Sequence, residues 1–271
     1  MITNALELAE ILLKYDMERG LVSIITPMYK GAKFVGDTIE SVLKQTYANW
    51  EMIIVDDCSP DDGAGIAEVR KYAEKEKRIK LIASPVNKGS SGARNIALHE
   101  AQGRYITFLD SDDIWSSDFL ESQLNFMKEK SAALVTASYH RINEQGIQVL
   151  QPFIVPEKVN YWDILKSNPI SCLTTIYDRE VVGEHYFREE LKSLRDDYAF
   201  WLEILKDKVD YAYGNPKILA SYRLVSTSVT RNRKKLIKPQ FLIYYQVEKL
   251  GLLRSIYYFM NWAIRSVFKY S

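Results

Sequence analysis

The sequence predicts an α/β fold, a doubly wound and mainly parallel sheet, and three observations carry that prediction. Short apolar runs alternate with stretches of helical periodicity through the first half of the chain. The runs are near-continuously apolar, as in strands covered on both faces. Polar clusters, two of them rich in aspartate, then follow three of these strands at their carboxyl ends, where open α/β sheets bind their ligands.

The elements follow in order. Leu8, Ile11, Leu12 and Tyr15 fall at helical spacing, predicting an amphipathic helix over 1–20. Residues 21–26, 51–55, 79–83, 105–109 and 133–139 read as strands. Helical patterns at 34–45, 64–77, 90–101 and 117–130 separate them; the first places Phe34, Ile39, Val42 and Leu43 on one side. This alternation defines an α/β half over 21–140. The pattern loosens over 141–230: Asn143-Glu-Gln-Gly146 is a hairpin turn, 173–177, 209–213 and 218–222 are short strands, and 194–206 is a helix. That mixture predicts an α+β half packed on the first. The tail, 231–271, is rich in Tyr, Phe, Trp and Arg and reads as helical from about Pro239.

Composition bounds the class. With 271 residues, 47% apolar and 26% charged, the chain supports a substantial core, and disorder, collagen and coiled coil are excluded as its main architecture. The formal net charge is +1, so bulk charge does not mark a polyanion binder. The distribution is uneven, because nine Lys/Arg against Glu248 give the tail +8 and leave −7 for the rest. The two cysteines, Cys58 and Cys172, are far apart and form neither a CxxC motif nor a Cys/His cluster, which points to a reducing compartment. Glu7, Glu10, Lys14, Asp16, Glu18 and Arg19 break up any apolar leader, and Arg254 and Arg265 interrupt the most apolar late stretch. The expectation is therefore a chain with no signal peptide and no membrane span.

Three strand ends carry chemistry. The first ends Thr26-Pro-Met-Tyr-Lys30, the second Asp56-Asp-Cys-Ser-Pro-Asp-Asp62, the fourth Asp110-Ser-Asp-Asp113. Turn formation and helix capping account for the Asp56 cluster as readily as ligand binding does. The Asp110 cluster is more telling, since three carboxylates within four residues repel one another. A divalent cation relieves that repulsion, and hard oxygen donors suit Mg2+ or Mn2+ with substrate phosphates completing the shell. Neither GxGxxG nor GxxxxGK[ST] occurs, so dinucleotide and P-loop readings lack their phosphate cradles. Between the third and fourth strands, Asn87-Lys-Gly-Ser-Ser-Gly-Ala-Arg-Asn95 opens a helix with glycines, serines, Lys88 and Arg94, a composition suited to an anion.

Taken in register, Ser23-Ile-Ile-Thr-Pro-Met-Tyr29, Ile53-Ile-Val-Asp-Asp-Cys-Ser59, Gly92-Ala-Arg-Asn95, Phe108-Leu-Asp-Ser-Asp-Asp113 and Arg195-Asp-Asp-Tyr-Ala-Phe-Trp201 resemble family 2 glycosyltransferases of the GT-A fold. The resemblance runs from about Val22 to Ser228 and implies an inverting bacterial enzyme that uses a nucleotide-activated sugar. By that resemblance Pro27 and Tyr29 line the nucleoside pocket, and Asp57 accepts the base N3–H, which favours uracil or thymine over cytosine. Arg94 lies near the nucleotide phosphates. Asp110, Ser111 and Asp112 form the DxD motif, with Asp110 toward the ribose and Asp112 on the metal, Mn2+ or Mg2+; Asp113 is the near alternative.

Inversion needs a carboxylate that takes the acceptor proton. The family motif here is usually Glu-Asp with the second residue as base, which matches Asp197. This chain has Asp196 in the first place, so Asp196 stays the alternative. Ser193-x-x-Asp196 resembles a capping box, and Asp197 shares a helix face with Trp201, so both local arguments favour Asp197. Tyr222-Arg-Leu-Val-Ser-Thr-Ser228 resembles the family loop over the diphosphate, with Arg223 and Ser228 as contacts; a frequent family histidine is replaced by Leu224 and Val225.

The tail interleaves basic and aromatic residues, which fits either packing on the catalytic domain or an anionic membrane surface. No nucleic-acid fold accompanies it, so nucleic acid is not expected. The resemblance implies a UDP-sugar donor and a glycan or lipid-linked oligosaccharide acceptor in bacterial surface polysaccharide synthesis. The expected location is cytoplasmic, peripheral at the inner face of the plasma membrane. Two rival readings stand beside this one: a HAD-like phosphatase, from Asp110-x-Asp112 after a strand, and a nucleotide-sugar-binding protein without catalysis. Trp50, Trp115, Trp162 and Trp201 are read as core before sugar platforms, and His99, His140 and His185 as surface or packing residues.

Overall fold

The computed structural model describes residues 20–191, 195–225 and 234–268. The helix expected over 1–20 falls almost wholly outside them, as do Ser193 and Ser226–Ser228. Ten strands form one sheet: β1 (Val22–Met28), β2 (Trp50–Asp56), β3 (Ile79–Ala83), β4 (Tyr105–Phe108), β5 (Ile114–Trp115), β6 (Leu134–Ile142), β7 (Gln148–Phe153), β8 (Lys158–Val159), β9 (Ile176–Asp178) and β10 (Ala212–Arg223). Their order is β3-β2-β1-β4-β9-β6-β10-β5, with β7 beside β6 and β8 beside β10. The β3-β2-β1-β4 block is parallel, β9 runs against both β4 and β6, and β10 is parallel to β6. This is a mixed α/β sheet built around a parallel four-strand block.

The helices are α1 (Val35–Leu43), α2 (Ala64–Ala73), α3 (Gly89–Glu100), α4 (Phe119–Lys130), α5 (Tyr161–Lys166), α6 (Arg179–Val182), α7 (Asp196–Asp207), α8 (Lys234–Leu242) and α9 (Leu252–Phe268). Strand side chains alternate between faces, and each face has its own core. Ile25, Ile53, Val55 and Phe108 pack with Ala93 and Ala97 of α3, Ile164 and Leu165 of α5 and Trp201 of α7. Val22, Ile24, Met52 and Ile54 pack with Val35, Ile39 and Val42 of α1, Val69 of α2 and Phe119 of α4. Two covered faces explain why these strands read as unbroken apolar runs.

The later elements correct the expectation in places. Residues 209–213 and 218–222 are not two strands; one long strand, β10, breaks register near Asn215 and Ile218 and carries Pro216, which has no N–H for the ladder. Within 173–177, a 3₁₀ turn (Cys172–Thr174) precedes the three-residue β9. The expected hairpin stands: Gly146 N–H donates to Asn143 O and β6 pairs antiparallel with β7. The sheet is continuous across residue 140, because β6 spans it. Trp50, Trp115 and Trp201 are buried, whereas Trp162 is 52% exposed.

The tail folds back on the domain. A π turn (Ile243–Val247) joins α8 to the segment before α9, and Glu248 holds it in place, accepting from Tyr161 Oη at 2.7 Å and Lys206 Nζ at 3.0 Å. The inner face of α9 includes Ser255 and Tyr258. Its outer face presents Leu253, Ile256, Tyr257, Met260 and Ile264, five exposed apolar side chains in one stripe at helical spacing. Among the described residues no helix is long and apolar enough to cross a membrane.

Candidate functional site

Register assembles the site. Ile25 pairs with Ile53 on one side and Phe108 on the other, and Met28 pairs with Asp56, so the ends of β1, β2 and β4 open on one sheet edge. Pro27 is half-buried near the end of β1, and Tyr29, just beyond, is 50% exposed. Lys30 turns there with φ +56°, and its N–H donates to Ser59 Oγ at 2.9 Å, tying the first strand end to the second. Gly31 leaves room for the acidic loop: a Cβ there meets Ser111 Oγ at 3.0 Å and Met28 Cγ at 2.6 Å.

Asp57 is buried, and its Oδ1 accepts the Lys88 N–H at 2.7 Å, fastening the start of α3 to the end of β2. Burial raises its carboxyl above the usual range, against the lowering effect of the Lys88 and Gly89 N–H groups. Asp56 beside it accepts from Ser59 N–H, while its buried Oδ1 has no hydrogen-bond partner among the described residues.

Arg94 is the hub. From α3 its Nη2 donates to Asp110 Oδ1 at 2.7 Å, its Nη1 reaches Asp196 Oδ2 at 3.4 Å, and its guanidinium lies over the Phe187 ring. It is buried, so its charge is balanced by these two carboxylates. Asp196 Oδ2 also accepts from Ser91 Oγ at 2.9 Å and Ser90 Oγ at 3.3 Å. The residue expected to complete a capping box thus does something else. Arg195 is the N-cap of α7, with no side-chain cap bond, and Asp196 binds α7 to α3.

Asp197 is free of those ties and only partly buried. Burial first and the neighbouring Asp196 second raise its carboxyl, while Arg195 and Arg94 oppose the shift. Cys172 is a buried thiol within electrostatic reach of Arg94, Asp110, Asp196 and Asp197, and burial pushes it up. Sequence reasoning gave it no place here, since a cysteine outside any motif carries no signal.

In the acidic loop the neighbours divide. Asp113 is fully enclosed, and its Oδ1 accepts the Arg223 main-chain N–H at 2.7 Å. Arg223, at the end of β10, donates through Nε to Asp112 O at 2.7 Å and through Nη2 to Asp37 Oδ2 at 3.2 Å, and lies over the Phe34 ring. Asp112 keeps its carboxyl unengaged by side chains among the described residues, and burial plus the nearby Asp110 push it up to about 6.

The donors in this loop suit an ion. A carboxyl driven upward by burial and by another carboxylate is relieved by a cation. Among the described residues no three His, Cys, Asp or Glu side chains converge to hold a metal alone. One or two carboxylates awaiting phosphate oxygens are the donor set that Mg2+ and Mn2+ accept.

A family model described as glycosyl transferase family 2 matches residues 23–195. A Bacillus subtilis protein named for teichuronic acid biosynthesis, the glycosyltransferase TuaG, is 41% identical over 249 residues, 92% of this chain and 97% of that protein. Escherichia coli WfgD, a UDP-Glc:α-D-GlcNAc-diphosphoundecaprenol β-1,3-glucosyltransferase, is 37% identical over 255 residues, covering 94% of this chain and 97% of that one. Among solved structures, residues 1–349 of Staphylococcus aureus TarS in complex with UDP superpose with a TM-score of 0.62 at 23% identity, over 83% of this chain. This chain spans 65% of that one, and the likeness is one of fold.

Proposed function

The chain belongs to glycosyltransferase family 2, and from that premise we propose that it moves a sugar, with inversion, from a UDP-sugar to a hydroxyl of a lipid-linked glycan acceptor in surface polysaccharide synthesis. The observation that carries this reading is Arg94, whose one guanidinium touches Asp110 in the DxD loop and Asp196 in the acidic pair at the start of α7. Donor-side and acceptor-side carboxylates thereby meet at a single buried cation.

In this reading residues 21–140 bind the nucleotide-sugar and 141–230 form the acceptor side. Pro27 and Tyr29 line the nucleoside pocket, and Asp57 takes the base N3–H through its carboxylate. Asp110 and Ser111 face the ribose and diphosphate, and Arg94 balances charge beside them. Asp112 would hold Mn2+ or Mg2+, which when bound supplies positive charge to the departing diphosphate. Asp197 accepts the proton of the attacking hydroxyl as the new C1–O bond forms and the C1–O bond to the diphosphate breaks, releasing UDP. Two similar proteins, WfgD and WfaP of Escherichia coli, are named for UDP-Glc as donor and GlcNAc-diphosphoundecaprenol as acceptor. Those are the first substrates to try. Inversion at an α-linked donor gives a β-linkage.

We also propose peripheral association with the cytoplasmic leaflet. The support is the outer stripe of α9, with Arg254 and Arg265 on the same helix and no acidic residue after Glu248. Family membership sets the phosphatase reading aside. The full carboxylate set favours an active enzyme over a binding protein.

The test is calorimetric titration with UDP, with and without Mn2+, then a panel of UDP-sugars, then transfer to a synthetic GlcNAc-diphospholipid. Metal-dependent UDP binding and a β-linked product are expected. Absence of UDP binding in both conditions overturns the donor assignment, and GDP- and dTDP-sugars then take its place in the panel.

A further inference from the structure

Arg195, immediately before the acidic pair, has left-handed backbone, φ +66° and ψ +22°. An L-residue other than Asn or Asp adopts that conformation at a cost, and it persists where the surroundings over-determine it. Here they come from the tail. Arg195 Nε donates to Gln240 Oε1 of α8 at 2.6 Å. The guanidinium lies 4.9 Å from the Tyr198 ring and 5.6 Å from the Trp262 ring of α9. Gln240 is itself fixed, fully buried, with Nε2 donating to Tyr244 Oη at 2.7 Å; Tyr244 Oη donates in turn to Leu165 O at 2.7 Å.

An unbroken chain of hydrogen bonds therefore runs from α5 through the π turn and α8 to the N-cap of α7. Gln240 and Trp262 lie beyond the residues matched by the family model, which end at Arg195.

We propose that Arg195 is a positioning residue for Asp197, set by Gln240 and Trp262, so that the C-terminal helices complete the acceptor side of the catalytic site. The inference rests on the reading of Asp197 as the base. Because the left-handed N-cap fixes the exit direction of the chain, it fixes where the next two carboxylates lie. Asp196 is then drawn to α3 and Asp197 is left for the acceptor. Among the described residues, the charged and titratable groups acting on Asp197 include Asp196 on α7, Arg195 at its N-cap, Arg94 on α3 and Cys172 before β9. Arg195 is the cation among them that the tail holds. The helix that presents Trp262 inward carries the exposed apolar stripe outward, so acceptor capture and base placement share one element.

The experiment uses the full chain, the UDP-sugar selected above and the synthetic acceptor, with UDP binding in Mn2+ as a folding control. Arg195→Met is expected to lower kcat about a hundredfold, the scale of an ångström-sized misplacement. UDP affinity stays unchanged, and the acid limb of the kcat profile moves to higher pH because a cation beside the base is gone. Arg195→Lys returns the limb toward its original position. Gln240→Met keeps the charge and releases its geometry, so kcat falls with the limb in place. A purely structural role predicts loss of UDP binding in step with activity and no movement of the limb. Arg195→Met with unaltered kcat and limb overturns the proposal. If that variant fails to bind UDP, Gln240→Met decides, and unaltered kcat there overturns it. Normal transfer by Asp197→Asn instead removes the base assignment itself.

Discussion

The Asp113 carboxylate accepts the main-chain N–H of Arg223 at 2.7 Å, across 110 residues of sequence. Arg223 then returns its side chain to Asp112 O, Glu144 O and Asp37. The end of β10 thus clamps the acidic loop, engaging the carboxylate of Asp113 but only the main-chain carbonyl of Asp112.

Asp113→Ala leaves a buried N–H without an acceptor, a loss of about 1–3 kcal/mol. Asp113→Asn retains an acceptor oxygen and is expected to be close to the parent in chemical denaturation. It should also retain metal-dependent UDP binding, which a metal ligand changed to Asn would not.

Asp112→Asn behaves in the opposite way. Its carboxyl is raised by burial and by Asp110, so the neutral amide removes an electrostatic cost and folding is undisturbed. The expected loss is in the calorimeter, where Mn2+ no longer strengthens UDP binding. Retained enhancement in this variant together with its loss in Asp113→Asn exchanges the two assignments.

Asp197→Asn should reduce kcat on the order of 10²–10⁴-fold, the usual contribution of a general base, with UDP binding intact. The folded carboxyl is raised above its unfolded value by burial and Asp196. The native state therefore holds its proton to higher pH, and stability falls as pH rises through the folded value. At neutral pH the Asn variant is expected to melt higher than the parent. In the parent, activity is lost as pH falls through that same raised value, above the ordinary carboxylate range. An acid limb at the ordinary range, or a lower melting temperature for the variant, contradicts this account.

Asp196→Ala tests the partition of the pair. It takes one of two carboxylates from the buried Arg94 and removes the acceptor of the Ser90 and Ser91 hydroxyl bonds to it, so roughly 3 kcal/mol of stability is expected to go, as when a buried ion pair is broken. If Asp196→Ala is as stable as the parent yet inactive, Asp196 is the base.

Much of the fold was legible because its cause is local. The runs around Ile24, Ile25, Ile53, Ile54 and Val55 are apolar on both faces, and the helices between them carry their own 3.6-residue period. β10 was not legible as one strand, because Pro216 and the register shifts beside it break the pattern that a sequence shows. β9 has three residues, too few for any period. Within the site, residue types placed the carboxylates at strand ends but could not divide Asp112 from Asp113. That division depends on whose carboxylate Arg223 engages, a contact made by a strand about a hundred residues away. Arg195 gave no signal either, since left-handed backbone is expected of Gly, Asn or Asp.

The outer stripe of α9 gives the last prediction. Leu253 is 84% exposed, Met260 51% and Ile264 55%, and a helix buried on one side rarely leaves its other side apolar without a use. Arg254 lies in the first turn and Arg265 in the last, which suits a helix lying in the headgroup plane of an anionic bilayer. Phosphatidylglycerol vesicles should therefore co-sediment the protein, and neutral phosphatidylcholine vesicles should do so less. Leu253→Asp with Met260→Asp should lower vesicle binding at least about tenfold, since each withdraws an apolar group from the interface. The melting temperature should change little, because both side chains are exposed. Replacing Arg254 and Arg265 by Gln should cost about 1 kcal/mol each on anionic vesicles only, and added salt should erase that difference. Undiminished sedimentation of the double aspartate variant removes the membrane from this face, and concentration-dependent self-association of the parent alone, measured by ultracentrifugation, then assigns the stripe to a second copy of the chain.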